Sequence, residues 1–299
     1  MVVERSINKL RRLANVPNET RELLRVIEAL RQDLGALETK TAAREARVLL
    51  EMRRETLTTR ALVYRRRYED VAAVPPPFRA GSLDYAETLA ALREAAPTAY
   101  EVWAPLLDVN ATAYAEHPGL NCSVDGHELA ELFGVFVRAH LRGAVLDVGC
   151  GPQPVPVYLR DYPVERIAGL DPIAPPAPHP FQYWHGFAEH MPWPDRSFKC
   201  AIAATSLDHV LILTKALKEV RRVLDDDGYF VLWVGFVPGA PKYNPWASVV
   251  PKIDAFHLFH FDRPWLEDVL AEEFIIEDSF GFHPPVNSHF YALRPRPPA

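Results

Sequence analysis

The first part of the chain carries apolar residues at a helical spacing. Residues 18–67 contain no proline and a single glycine, and Leu, Ala, Arg and Glu dominate, a composition that favours α-helix. Five apolar positions follow the alternating four- and three-residue spacing of a coiled-coil seam: Leu23, Ile27, Leu30, Leu34 and Leu37. We therefore predict that residues 1–70 form a helical region, as a coiled coil or a partner-docking helix.

Two heptads leave several interpretations of this helix open. It can pack along its own domain, form a homo-oligomer or bind a partner protein. The run Arg65–Arg67 also allows a basic helix on a membrane surface, which we do not favour. Residues 1–70 carry 16 Lys and Arg against 11 Asp and Glu, whereas the whole chain has a formal net charge of −6. Because the two halves differ in charge sign, we expect them to have different roles.

A proline cluster over residues 71–82 predicts a linker, and residues 83–142 read as a helical lead-in to a second domain. From residue 143 to 299, short apolar runs alternate with amphipathic segments, which predicts crossover connections and a mainly parallel sheet covered by helices. The expected strands cover 144–148, 167–170, 198–204, 229–236, 274–278 and 289–293, and the expected helices 155–160, 214–224 and 263–271. The fold class is therefore α/β, with an N-terminal helical extension.

The composition of the chain indicates its cellular setting and argues against some classes of substrate. Three cysteines lie far apart, without the paired spacing of a structural zinc site, so we expect a reducing, cytoplasmic setting. The first ten residues lack the apolar core of a signal peptide, and no apolar run reaches the length of a membrane span. The second half has no basic cluster, which argues against a nucleic-acid substrate.

The most informative segment is VLDVGCGPQP, residues 145–154. A buried strand contains Asp147, and Gly149 and Gly151 follow; glycines allow a backbone to approach a ligand closely. The dinucleotide fingerprint requires a third glycine opening a helix, and the third glycine is missing here. An ionised Asp147 would also repel a pyrophosphate, whereas a cationic sulfonium would be tolerated.

At this point the chain resembles the class I S-adenosylmethionine-dependent methyltransferases, whose first motif is hydrophobic-hydrophobic-Asp/Glu-x-Gly-x-Gly. Residues 186–210 resemble the family stretch G-D-A-E-x-L-P-F-x-D-x-S-F-D, with Phe187 in place of the acid that commonly meets the adenine amine. Residues 215–234 are similar to the helix–turn–strand that follows. The resemblance implies a Rossmann-like, mostly parallel sheet with an antiparallel terminal strand, and S-adenosyl-L-methionine as the cofactor.

The same resemblance implies the residues that contact the cofactor. An acid at the end of the second strand, about twenty residues beyond the glycine loop, can accept hydrogen bonds from both ribose hydroxyls, and Asp171 holds this position. Gln153 replaces the third glycine of the motif, so the loop geometry differs from the usual one. The expected cofactor-binding residues are Asp147, Gly149, Cys150, Gly151, Asp171, Phe187, Ala188 and Thr205.

Candidates for catalysis lie farther along the chain. His209, next to Asp208, follows the strand at 198–204, where the family places the methyl group, and an imidazole is suited to act as a base. His257 and His260 would share one face of a helix but separate in an extended segment. We predict His209, His257 and Asp208 as catalytic residues, and His260, Tyr243 and Trp246 as substrate-binding residues. No metal site is predicted, because these acids and histidines have no recognised metal-ligand spacing.

The leading hypothesis is an O-methyltransferase acting on a hydroxyl of a sugar or glycan, because the loop and the LDHV element look similar to bacterial saccharide and glycan methyltransferases. One alternative is a methyltransferase for natural-product or quinone-like small molecules. The other is a scaffold protein in which the helix is the functional part and the methyltransferase domain is vestigial.

Overall fold

A computed structural model describes residues 73–118, 124, 126–282 and 287–297. Within residues 25–58 it describes 25, 27–36, 39–40, 44, 47–48, 51–52, 54–55 and 58. The chain divides into two units, residues 1–56 and 57–299. Among the described residues, no helix combines the length and the apolar character needed to cross a membrane.

The described residues of the first unit are helical, as the spacing predicts. Ile27, Leu30 and Leu34 of the predicted seam are exposed in the single chain. Leu23, Leu37 and the basic run at 65–67 lie outside the described residues, so the coiled coil stays a prediction.

The second unit is built on one sheet of seven strands in the order β3-β2-β1-β4-β5-β7-β6. The strands β1 to β5 are parallel, whereas β7 pairs antiparallel with both β5 and β6. This confirms the predicted fold class, including the antiparallel terminal strand. The bounds are β1 Val145–Val148, β2 Ile167–Asp171, β3 Gln182–His185, β4 Phe198–Ala204, β5 Leu224–Gly235, β6 Phe274–Gly281 and β7 Ser288–Pro295.

The described residues of this unit form five longer helices: α1 Tyr85–Ala95, α2 Pro97–Glu116, α3 Glu128–Arg138, α4 Leu213–Val223 and α5 Arg263–Glu273. The helix α1 begins at a capping box, in which Asp84 and Glu87 satisfy each other's backbone amides. The expected helix at 155–160 is a single 3-10 turn, Val157–Leu159.

Some elements were not predicted. The strand β3 was not predicted, whereas α2 lies within the helical lead-in predicted at residues 83–142. The strand β5 begins at Leu224, before the expected start at residue 229. Part of the predicted linker is bound to the domain: the amide of Arg79 donates to the carbonyl of Pro192 at 2.6 Å.

The sheet positions the site because β1 and β4 are almost entirely buried between helices. The polar residues next to these strands therefore lie in the loops at the strand ends. The carboxyl ends of β1, β2 and β4 meet at one edge, and this is where open parallel sheets bind ligands.

Candidate functional site

A cavity opens at the carboxyl edge of the sheet, with an empty volume of about 1000 Å³ that includes space open to solvent. Its lining includes the loop after β1, Tyr158, the end of β2, residues 187–189, residues 204–206, 209 and 210, and residues 256 and 258. The helix α2 closes one wall through Trp103, Leu106, Leu107, Asn110 and Tyr114.

The loop after β1 has the conformation that its glycines permit. Gly149 and Gly151 have φ values of +79° and +71°, in the left-handed region that side chains disfavour. The amide of Gly149 donates to the carbonyl of Leu170 at 2.7 Å. A Cβ at Gly149 would overlap Ser206, whose hydroxyl donates to the carbonyl of Val148 at 2.6 Å. The loop is therefore held tightly between β2 and the segment after β4.

Asp171 is placed as a ribose ligand would be. One carboxylate oxygen accepts the amide of Gly151 and the other accepts the amide of Ile173, both at 2.8 Å. Burial raises the pKa of Asp171 to about 6, and these two hydrogen bonds oppose that rise. The side chain lines the cavity, and each oxygen of a carboxylate can accept a further hydrogen bond. Asp171 can thus accept a pair of vicinal hydroxyls.

Asp147 lies behind the cavity instead of in its wall. It is fully buried and accepts a hydrogen bond from the hydroxyl of Tyr158, which does line the cavity, at 2.9 Å. Burial raises the pKa of Asp147 to about 8, against the lowering effect of the tyrosine. The carboxyl is then mostly protonated at neutral pH, so the expected repulsion of a pyrophosphate by Asp147 has no support in this structure.

This burial predicts an effect of pH on stability. Between its unfolded pKa of about 4 and its folded pKa of about 8, Asp147 holds a proton in the native state that the unfolded chain releases. Stability therefore falls as pH rises, by up to ~1.4 kcal/mol per pH unit from this group. We expect Asp147→Asn to remove that decrease between pH 6 and 8, measured by urea denaturation. The exposed Asp161→Asn should keep the wild-type slope, and an unchanged slope in Asp147→Asn would contradict the assignment.

The remaining expected cofactor residues divide into two groups. Phe187, Ala188 and Thr205 line the cavity, and Phe187 packs against Tyr85 and Trp103 with ring centroids 4.8 and 5.5 Å apart. Cys150 is buried away from the cavity, next to Gly169. It contributes its backbone to the loop.

His209 lies in the cavity wall, in the 3-10 turn Leu207–His209 after β4. Its carbonyl accepts a hydrogen bond from the indole of Trp103 at 2.7 Å, which links the turn to α2. Burial lowers the pKa of His209 to about 4, so its imidazole is neutral at pH 7. The ring of His257 lies behind it, with centroids 4.6 Å apart.

A group of four polar side chains, which we call the Asp254 cluster, adjoins His209: Asp208, Asp254, His257 and His260. Asp254 lies 3.0 Å from Nδ1 of His257 and 2.9 Å from Nε2 of His260. Burial opposes the ionisation of Asp254, but hydrogen bonds from the amides of Phe256 and His257 hold its pKa at about 2. The segment is not helical, yet its bends bring together the two histidines that an extended chain would separate.

Two predicted substrate-binding residues lie elsewhere. Tyr243 stacks on Phe259 with ring centroids 4.5 Å apart, and its hydroxyl donates to the carbonyl of Leu211 at 2.8 Å. Trp246 is 62% exposed. Neither residue lines the cavity, because both belong to the outer part of the segment after β5. His260 does not line the cavity either; it contacts Asp254 at 2.9 Å.

The sequence analysis missed the contribution of α2. Trp103, Leu106 and Asn110 line the cavity, and the amide of Asn110 donates to the carbonyl of Phe256 at 3.0 Å. Their spacing of three and four residues is a helical signal that would have placed them on one face. Glu189 was also missed; its carboxylate accepts the amides of Leu211 and Ile212 at 2.7 and 3.0 Å.

Comparison with known proteins agrees with this geometry. Residues 146–232 match the family described as "Methyltransferase domain". The Escherichia coli (strain K12) protein described as "Uncharacterized protein YafE" is 26% identical over 115 residues, which are 38% of this chain and 56% of that protein. The chain thus matches little more than half the length of this relative.

Among solved structures, the fold is similar to that of Burkholderia thailandensis 1,6-didemethyltoxoflavin-N1-methyltransferase, with 18% identity and a TM-score of 0.51. This match covers 75% of this chain and 99% of that enzyme. Geranyl diphosphate C-methyltransferase from Streptomyces coelicolor A3(2) is 15% identical with a TM-score of 0.43, over 57% of this chain and 80% of that one.

The predicted resemblance to class I methyltransferases is confirmed, and S-adenosylmethionine is the methyl donor that this resemblance implies. The narrower resemblance to saccharide and glycan methyltransferases finds no support in these matches.

Proposed function

Because residues 146–232 form a methyltransferase domain, we propose that the protein transfers the methyl group of S-adenosylmethionine to a hydroxyl oxygen of a small molecule. One observation carries the proposal: a single cavity joins the glycine loop and Asp171, on the donor side, to His209 and the wall formed by α2. A donor with its ribose at Asp171 and its amino acid part over Gly149 directs its sulfonium towards the end of β4.

The reaction needs an aligned acceptor and a place for one proton. An oxygen lone pair of the acceptor attacks the methyl carbon, and the bond from carbon to sulfur breaks. Its electron pair stays on sulfur, which becomes the neutral thioether of S-adenosylhomocysteine. The hydroxyl proton passes to the neutral imidazole of His209 and then to solvent. The protein contributes orientation and the base, since the sulfonium already activates the carbon.

A small acceptor suits this cavity better than a polymer. The helix α2 is hydrogen-bonded across the cavity to His209 and Phe256, which encloses the acceptor side. Tyr243 and Trp246, which were predicted to bind the substrate, lie outside the cavity. We therefore propose a small hydroxyl-bearing acceptor, with monosaccharides among the candidates. The hydrogen bonds that hold the carboxylate of Asp171 and the glycine loop in place disfavour a vestigial domain.

Calorimetric titration of the purified full chain with S-adenosylhomocysteine tests the donor side, and absence of binding would overturn the proposal. Incubation with methyl-labelled S-adenosylmethionine and a panel of phenols, small alcohols and monosaccharides then tests the acceptor side. Label transferred only to amines or to carbon would contradict a hydroxyl acceptor.

We expect His209→Ala to lower kcat roughly 100-fold, at the lower end of the range for loss of a general base. Affinity for S-adenosylhomocysteine should stay near that of the wild type, because the side chain faces the acceptor side. Steady-state kinetics with an identified acceptor measure the first quantity and calorimetry the second. His117→Ala, at an exposed position after α2, is the control. Wild-type turnover in His209→Ala would exclude it as the base.

We also propose that the N-terminal helix joins two or more chains through its exposed seam. Leu30 and Leu34 are exposed in the single chain, and burial of such side chains is worth ~1.5–3 kcal/mol each. We expect the full chain with Leu30→Lys and Leu34→Lys to have a lower mass in analytical ultracentrifugation than the wild type. Gln32→Lys, off the seam, should leave the mass unchanged. Equal masses for all three would remove the proposal.

A further inference from the structure

The Asp254 cluster has the composition and the spacing of a metal site. One oxygen of Asp254, one nitrogen of His257 and one nitrogen of His260 lie within 4.8 Å of one another. The Oδ2 atom of Asp254 is 3.0 Å from Nδ1 of His257 and 2.9 Å from Nε2 of His260. Ligands bound at ~2.0–2.2 Å from one tetrahedral ion lie about 3.3–3.6 Å from their neighbours, so each histidine nitrogen would have to move away from Oδ2 by roughly 0.5 Å to coordinate an ion.

The carboxylate of Asp254 is oriented before any ion binds. Its Oδ1 atom accepts the backbone amides of Phe256 and His257 at 2.7 and 2.8 Å. These two bonds fix the rotation of the side chain and direct Oδ2 towards both imidazoles. Hydrogen-bonded carboxylates of this kind are common among metal ligands, because their partners hold the ligating atom in position.

Asp208 supplies a second, independent observation. Its Oδ2 atom lies 3.9 Å from Nε2 of His257, the ring nitrogen that does not face Asp254. Its Oδ1 atom is buried and makes no hydrogen bond within the described part of the chain. A metal-binding histidine commonly donates its other N–H to a carboxylate, which sets the tautomer of the ring. Asp208 lies on that side of the ring but beyond hydrogen-bond distance, so it would have to approach by about 1 Å to take that role, and an ion in the cluster would also compensate its charge.

We propose that Asp254, His257 and His260 bind a divalent transition-metal ion, with Asp208 as the carboxylate partner of His257. Two imidazoles and one carboxylate favour zinc or a neighbouring transition metal over magnesium or calcium, which prefer oxygen ligands. The ion would connect residues 254–260 to the turn at 207–209. Phe256, Leu258 and His209 line the cavity. The ion would therefore position the part of the cavity wall against which we propose that the acceptor binds.

The test uses the full chain without a histidine tag, dialysed against a chelator and then titrated with zinc chloride by calorimetry. Cobalt chloride is the spectroscopic probe, because its visible absorption reports ligand geometry. We expect one ion per chain, loss of this binding in His260→Ala and in Asp254→Asn, and affinity lowered about 10- to 100-fold in Asp208→Asn. His117→Ala should bind as the wild type does.

Absence of saturable binding, or equal binding in the wild type and in His260→Ala, would overturn the proposal. Binding of S-adenosylhomocysteine by each variant shows that it is folded, because no residue of the Asp254 cluster belongs to the donor side. The metal site does not depend on the proposed function. If the wild type binds zinc but not S-adenosylhomocysteine, the result counts against the proposed function alone. If it binds S-adenosylhomocysteine but not zinc, the result counts against the metal site alone.

Discussion

Replacing Asp171 by Ala is expected to weaken binding of S-adenosylhomocysteine roughly 100- to 10,000-fold. Two hydrogen bonds from ribose hydroxyls to an ionised carboxylate contribute ~1.5–3 kcal/mol each, and ~1.4 kcal/mol corresponds to a factor of ten. Part of the loss comes from the glycine loop, because Asp171 also accepts the amide of Gly151 at 2.8 Å. Isothermal titration calorimetry measures the change directly.

Two controls separate the ribose contact from general damage. Asp171→Asn keeps the shape and one acceptor oxygen, and we expect it to lose about a factor of ten. Asp161→Ala removes an exposed acid that pairs with Arg138 on the surface, where such pairs are worth little, and should bind as the wild type does. A wild-type affinity in Asp171→Ala would place the ribose elsewhere.

The pKa of Asp171 adds a second test of the same contact. Burial raises it to about 6, so the carboxylate becomes protonated as pH falls through that value and accepts hydrogen bonds less well. Affinity for S-adenosylhomocysteine should therefore decrease below about pH 6 in the wild type and change less in Asp171→Asn.

Replacing Gly149 by Ala is expected to destabilise the fold by about 3 kcal/mol and to abolish donor binding at micromolar concentrations. A φ of +79° disfavours alanine by ~1–2 kcal/mol. The new Cβ would also lie about 2.8 Å from Oγ of Ser206, and crowding of this kind adds ~1–3 kcal/mol. Urea denaturation and calorimetry measure the two effects.

Gly239→Ala is the matched control for the strain of placing alanine at a positive φ. Gly239 has a similar φ of +76°, and a Cβ there would meet nothing within 4 Å. We expect a loss of about 1 kcal/mol in this variant. Adding Ser206→Gly to Gly149→Ala should recover part of the stability, because it removes the serine side chain that the new Cβ would crowd. Equal losses in the two alanine variants would show that the contact with Ser206 is unimportant.

The metal proposal changes how the acceptor side is understood. The sequence analysis treated Asp208, His209, His257 and His260 as possible bases or ligands and predicted no metal site, since the spacing of these residues matches no known motif. The structure adds Asp254, which lies between the two later histidines. The three residues have the i, i+3 spacing of a helix face, but bends of a non-helical segment bring them together instead, and periodicity does not predict such bends.

The sequence by itself determined the fold class, the glycine loop and Asp171. These features depend on short-range patterns: a buried strand followed directly by glycines, and an acid at the end of the next strand. Parallel strands place their carboxyl ends at one edge of the sheet. The position of each residue at the end of its strand was therefore enough to predict that the loop and Asp171 lie together.

Only the tertiary structure showed that Asp147 lies behind the cavity, and which residues form the cavity wall on the proposed acceptor side. Asp147 is surrounded by residues that are distant in sequence, and the resulting burial raises its pKa to about 8. The acceptor wall joins α2, the turn after β4 and residues 254–260, which are more than 100 positions apart at the extremes. Burial and long-range contacts depend on how the elements pack, and no local pattern in the chain encodes them.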